Sequence, residues 1–198
     1  MGYAYTPIAA TTAAVANRIV TTTNMIVGAY TIANASPVWA GGALITVTHT
    51  AVTGTDTLGT IAIVGKDLSG QTITETITPL DGTVATGTKV FRSVTSATGA
   101  GWVINVGNDT IVIGVAAGSY VASGNGTLHA VVLNNSVAAT IVISDASGTI
   151  ATIPASQAAG TEYLYDVAFG GYCKIATTST NDLVALHSPT LPSSYALA

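Results

Sequence analysis

The stretch Gln71-Thr72-Ile73-Thr74-Glu75-Thr76-Ile77-Thr78 reads in strict twos. Ile73, Glu75 and Ile77 fall on one face, and Thr72, Thr74, Thr76 and Thr78 on the other. A period of two belongs to a strand with one face turned inward. Pro79 and Asp81-Gly82 stop it, since proline cannot donate to a ladder and Asp-Gly suits a tight turn. The same rhythm continues outward. Leu44 to Thr50 alternates, with Ile45, Val47 and His49 together on one face. Thr60 to Val64, Lys89 to Thr98 and Asp109 to Val115 read as further strands, with Lys66 to Gly70 as a polar turn. Ile73-Glu75-Ile77 and Val90-Arg92-Val94 share one pattern. It predicts an antiparallel pair with Glu75 opposite Arg92, a contact that would fix register.

The carboxy-terminal part repeats this logic. Strands are expected over Thr127 to Asn134, Val137 to Ser144, Thr149 to Ile153, Glu162 to Phe169, Tyr172 to Thr177 and Leu183 to His187. In the fourth of these, Tyr163, Tyr165, Val167 and Phe169 share a face that suits a sandwich core or a sugar-stacking stripe. Glu162 and Asp166 lie on the solvated side. Glycine clusters mark the breaks, and Gly118 to Gly126 reads as the linker. The expected division is an amino-terminal arm or edge strands over 1–40, a β-sandwich over 41–119 and a smaller β domain over 120–198. The fold class is all-β, with two small antiparallel sandwich or jelly-roll-like domains.

Composition agrees. The 198 residues include 33 Thr, 21 Val and 17 Ile, stiff β-branched types that favour a pleated surface. Charged residues are only 7%, against roughly 25% in an ordinary soluble domain. Arg18, Lys66, Lys89, Arg92 and Lys174 are scattered along the chain. Nucleic acid, which needs clustered cations, is not an expected partner. No membrane partner is expected either. A spanning helix needs about 20 consecutive apolar residues, and the charge-poor stretch after Ile19 is interrupted by Thr, Asn, Pro and Gly. No basic segment followed by an apolar one marks a signal peptide. A surface this poor in charge suits burial in an assembly.

Motifs that carry chemistry are missing from the sequence. There is no Gly-x-Ser-x-Gly elbow and no phosphate-binding loop. His49, His129 and His187 are far apart, with no His or Cys at metal-ligand spacing. Cys173 is the single cysteine and reads as a buried strand residue. Glu162 and Asp166 stand four residues apart on a strand, about 13 Å, too far for a glycosidase pair. No enzyme activity, cofactor or metal is expected. Trp39 and Trp102 lie in glycine-rich stretches where an aromatic residue can pack or can anchor a partner. With Arg18, they are the candidate interaction residues.

Gly65-Lys66-Asp67, Thr74-Glu75-Thr76, Gly87-Thr88-Lys89-Val90-Phe91 and Val94-Thr95-Ser96 resemble a β module of tailed-bacteriophage head and virion proteins. Tyr165-Asp166-Val167-Ala168-Phe169 followed by Gly170-Gly171 is similar to the small carboxy-terminal β domain of phage decoration and head-fibre proteins. The resemblance spans about half of the chain and not its first forty residues. It implies a non-enzymatic capsid decoration, or cement, protein on the outer surface of the virion. The implied partners are the major capsid protein and further copies of the chain, a trimer being favoured. The alternative it implies is a head-fibre or tail-associated module that binds glycan.

Overall fold

The computed structural model describes residues 4–8, 14–33, 38–52, 56–103, 107–178 and 182–189, with backbone alone at 38–40. Among these residues the chain is all-β, as the alternation predicts, and holds no helix. It divides into two compact units. One is Thr12–Ala117. The other joins Met1–Thr11 to Gly118–Ala198.

The amino-terminal forty residues are therefore shared between units rather than forming one arm. Strand β1 (Ala4–Ile8) pairs antiparallel with the last strand, β15 (Leu183–Pro189), with Tyr5 opposite Leu186. Ile8 is buried there among residues from the far end of the chain. Strands β2 (Val15–Asn24) and β3 (Gly28–Ala29) belong to the other unit.

In the Thr12–Ala117 unit, β4 (Val38–Thr50), β5 (Thr60–Lys66), β6 (Thr72–Ile77), β7 (Val84–Ala100) and β8 (Thr110–Val115) complete a seven-stranded sheet. Its path runs β2-β8-β4-β7-β5-β6, with β3 on β7. The organising element is β7, 17 residues long. Its first part, Val84 to Ser93, pairs with β4, and Ser93 to Ala100 pairs with β5. Register shifts fall in both pairings, as expected where one strand bends to serve two neighbours. Phe91, fully buried, sits at the changeover. Around it the sheet encloses Ile19, Ile45, Val47, Ile61, Ile63, Val94 and Ile113.

The expected facing of Glu75 and Arg92 does not form. Strand β6 pairs with β5, placing Glu75 opposite Ile63. Arg92 is exposed, whereas Glu75 is buried. The Glu75 carboxylate instead accepts hydrogen bonds from the backbone amides of Thr88 and Lys89 and from the Thr88 hydroxyl. A β-carbon on Gly87 would run into that carboxylate, so the close approach needs glycine. All three hydrogen bonds meet Oε1, so amides and a hydroxyl rather than a cation satisfy that oxygen, while Oε2 is buried without a hydrogen-bond partner among the described residues.

The second unit is a sandwich of two four-stranded sheets. One has the order β1-β15-β10-β13, with β10 (Gly126–Leu133) and β13 (Glu162–Phe169). The other has the order β12-β11-β14-β9, with β9 (Ser119–Ser123), β11 (Ile141–Asp145), β12 (Gly148–Ile153) and β14 (Tyr172–Thr177). Phe169 is buried between them, with Tyr163, Tyr165 and Val167 packed against the same core. The aromatic stripe is thus core. The stretch expected as a linker, Gly118 to Gly126, instead contains β9. Tyr120 is buried there and meets the Tyr172 ring edge-on, with centroids 5.0 Å apart. Burial of an aromatic ring outweighs the turn preference of the glycines around it.

Candidate functional site

Alternation along β4 turns Ile45, Val47 and His49 inward together, and His49 ends 2% exposed. Asp109, just ahead of β8, is equally buried. Its Oδ2 lies 3.0 Å from His49 Nε2, and its Oδ1 accepts from the Val52 amide at 2.7 Å. The Asp109 carbonyl accepts from the Met25 amide at 2.9 Å. Asn108 donates its side-chain amide to the Met25 carbonyl at 3.2 Å. On the other side of the ring, His49 Nδ1 faces the exposed Asp81 at 3.2 Å. The loops after β2 and after β4 are thereby tied to one buried carboxylate, which also meets the buried imidazole, and the loop after β6 brings Asp81 up to the other side of that ring.

The same loops present apolar side chains to solvent. Val27 is 69% exposed, and Val52, Leu80 and Val84 are each 54% exposed. Ile26 is also exposed. They lie close by in the chain or the sheet: Ile26 and Val27 follow Met25, Leu80 precedes Asp81, and Val84 pairs with Thr48, the residue before His49. Leu80 and Val84 also border a groove of about 480 Å³ between β6 and β7, walled by Thr76, Thr78, Thr86 and Thr88. Loops on a rigid scaffold carry binding functions. Clustered exposed aliphatics mark contact surfaces, because water leaves them at a gain.

A second polar cluster lies in the sandwich unit. His129, on β10, has Nδ1 2.6 Å from Asp166 Oδ1 and Nε2 2.9 Å from Ser188 Oγ. Next to it, His187 is buried and its Nε2 meets the Thr6 hydroxyl at 3.0 Å, linking β15 to β1. Burial pushes the His187 pKa down, and the neighbouring His129 adds to this. The folded state therefore disfavours the charged ring. Below the ordinary histidine value of 6.5, the unfolded chain binds more protons than the folded one, so stability falls as pH falls. Between pH 7 and pH 5 the sandwich unit should lose thermal stability, and His187→Gln should flatten that slope. Far-ultraviolet circular dichroism melts at the two pH values check it. Equal slopes in the two proteins would contradict it.

The residues singled out from sequence lie apart from both clusters. Arg18 is half-buried on β2. Trp102 is buried in the core of the Thr12–Ala117 unit, so of its two expected roles the structure displays packing. The Trp39 side chain lies outside the described residues. Cys173 is buried, and burial, with the charge of Asp145 adding, pushes its thiol up to about 12, far from a reactive thiolate. Among the described residues, no three His, Cys, Asp or Glu side chains are placed to hold a metal ion.

Sequence reasoning passed over both clusters because their members are remote along the chain. His49 and Asp109 are 60 residues apart, and Ser188 is 59 from His129. The legible signal was limited to His49 on an apolar face and to an aspartate beside asparagine at a strand start. No protein-family model matches the chain, and no curated protein or solved structure shows a significant match to it.

Proposed function

We propose that this chain is a structural protein of a tailed-bacteriophage virion, a decoration protein that binds the outer surface of the assembled capsid. Its partner is the major capsid protein, and its own copies associate, as a trimer in the favoured arrangement. One observation carries the reading: Ile26, Val27, Val52 and Leu80 on loops, with Val84 at the start of β7, are exposed around a buried Asp109–His49 pair that anchors the loops after β2 and β4. A preformed apolar end loses little conformational entropy on docking. The charge-poor composition and the motif resemblance support the same reading. The role is structural: each bound copy stabilises the assembled shell by mass action, because it binds that state and not the dissociated subunits.

Co-sedimentation with heads lacking the protein tests this. The wild-type chain should pellet with heads. Val52→Asp and Leu80→Asp should each weaken binding at least tenfold, because a carboxylate buried without a partner costs more than about 1.4 kcal/mol. Wild-type chain left in the supernatant would overturn the proposal, as would variants that bind as well as wild type.

A further inference from the structure

We propose that Ser188, His129 and Asp166 form a serine acyl-transfer site on the outer face of the β1-β15-β10-β13 sheet, with an activated carboxylic ester as substrate. The inference rests on the sandwich unit alone and is independent of capsid docking.

The geometry is that of a nucleophile, a base and an orienting group. The carboxylate faces Nδ1 at 2.6 Å, so that nitrogen carries the ring proton. Nε2 is then left as an acceptor, 2.9 Å from Ser188 Oγ. This is the tautomer that can take the hydroxyl proton.

Local irregularities in two strands, β10 and β13, produce this alignment. Leu128 and Ala130 of β10 pair with consecutive residues of β15, so His129 is an extra residue relative to that strand. On the other side, Leu128 pairs with Val167 and Ala130 with Leu164, so Tyr165 and Asp166 face a single residue. Asp166 there takes a φ of 48°, in the left-handed region that side chains other than glycine seldom occupy. Bulges re-aim side chains, and strained backbone gathers at functional sites. Here both act on the residues of one hydrogen-bonded chain.

A row of apolar side chains crosses the same face beside it. Tyr5 pairs with Leu186, Leu186 with Ala130, and Ala130 with Leu164. Tyr5 and Leu164 are 70% and 76% exposed. Leu186 lies two residues from Ser188 on its strand, and so on the same face. The acyl group of an ester attacked by Ser188 would lie along this row. Ser188 itself is 7% exposed and the His129 side chain 22%, so the nucleophile is largely covered and the imidazole is the more open of the two.

In the reaction, Ser188 Oγ forms a bond to the ester carbonyl carbon and its proton passes to His129 Nε2. The bond from carbon to the alcohol oxygen breaks, and His129 returns the proton to that oxygen. Water then attacks the acyl-serine, giving its proton to His129. Ser188 leaves and takes the proton back, so ester and water become acid and alcohol. Asp166 is a positioning residue. At 80% exposure it fixes the tautomer more than it supplies field, since water screens an exposed charge.

The full-length chain is treated with a fluorophosphonate probe and, separately, with p-nitrophenyl acetate. Peptide mapping should place the label on Ser188. His129→Gln, which keeps a hydrogen-bonding side chain without a base, should slow labelling and ester hydrolysis at least about a hundredfold. Asp166→Asn should slow them less, and Asp166→Glu should restore part of the loss. Circular dichroism of each variant checks that it is folded, and Ser188→Ala sets the background. An unlabelled Ser188 would overturn the proposal, and so would labelling in folded His129→Gln at the wild-type rate. Either result would reduce the three residues to a hydrogen-bonded clamp between strands.

Discussion

Asp109→Ala should destabilise the Thr12–Ala117 unit by about 2–4 kcal/mol, because two buried or part-buried groups lose a hydrogen-bond partner at about 1–3 kcal/mol each. The substitution strands two groups at once. His49 Nε2, on a ring 2% exposed, loses its acceptor at 3.0 Å, and the Val52 amide loses its acceptor at 2.7 Å. An unsatisfied buried donor bears its full desolvation cost. Asp109→Asn keeps the shape and one acceptor oxygen, so its loss should be smaller. The measurement is unambiguous in this chain because its two tryptophans, Trp39 and Trp102, both belong to this unit. Tryptophan fluorescence in a urea titration therefore follows this unit alone. The midpoint should fall with the slope unchanged, the sign of altered stability rather than altered compactness. A loss below about 1 kcal/mol would mean that the loops do not depend on this carboxylate, and the rigid docking end would lose its basis.

Phe91→Ala should cost about 3–5 kcal/mol by the same fluorescence titration. The ring is fully buried at the point where β7 leaves β4 and meets β5. It packs over Gly65, where a β-carbon would meet both the ring and the Ser93 carbonyl. Removing the ring empties a space bounded on one side by the Gly65 and Ser93 backbone and otherwise by packed core side chains, so both the transfer and the cavity contributions are felt. Phe91→Leu keeps most of the volume and should cost under about 1.5 kcal/mol. Similar losses in the two variants would show that the bend in β7 is held by something other than this ring.

What the chain discloses on reading follows from how local each cause is. The strands from Leu44 to Thr50, from Gln71 to Thr78 and from Glu162 to Phe169 announce themselves because alternation is local. The inward turn of His49 follows from the same count. The partner of Glu75 is a different matter. Ile-Glu-Ile and Val-Arg-Val suggest side-by-side charges, yet in the sheet β5 pairs with both strands, β6 on one side and the part of β7 that follows Arg92 on the other, and the carboxylate finds backbone amides at Thr88 and Lys89. Backbone donors leave no mark in a sequence. The strand at Ser119–Ser123 hides for a related reason, since its glycine-rich surroundings speak for a turn and only burial of Tyr120 speaks for a strand. The destination of Ala4–Ile8 is set by pairing with residues near the other end of the chain, which local patterns do not encode. Both polar clusters share that property. His129, Asp166 and Ser188 meet only because bulges in adjacent strands coincide.

A density map of the intact phage particle tests the central reading most directly. Docking of the apolar loop end predicts copies of this chain on the outer face of the capsid. Val27, Val52 and Leu80 should lie against the major capsid protein and be shielded from solvent. A map with the chain at the tail or in a fibre, or with those three side chains facing solvent on the capsid, would contradict it.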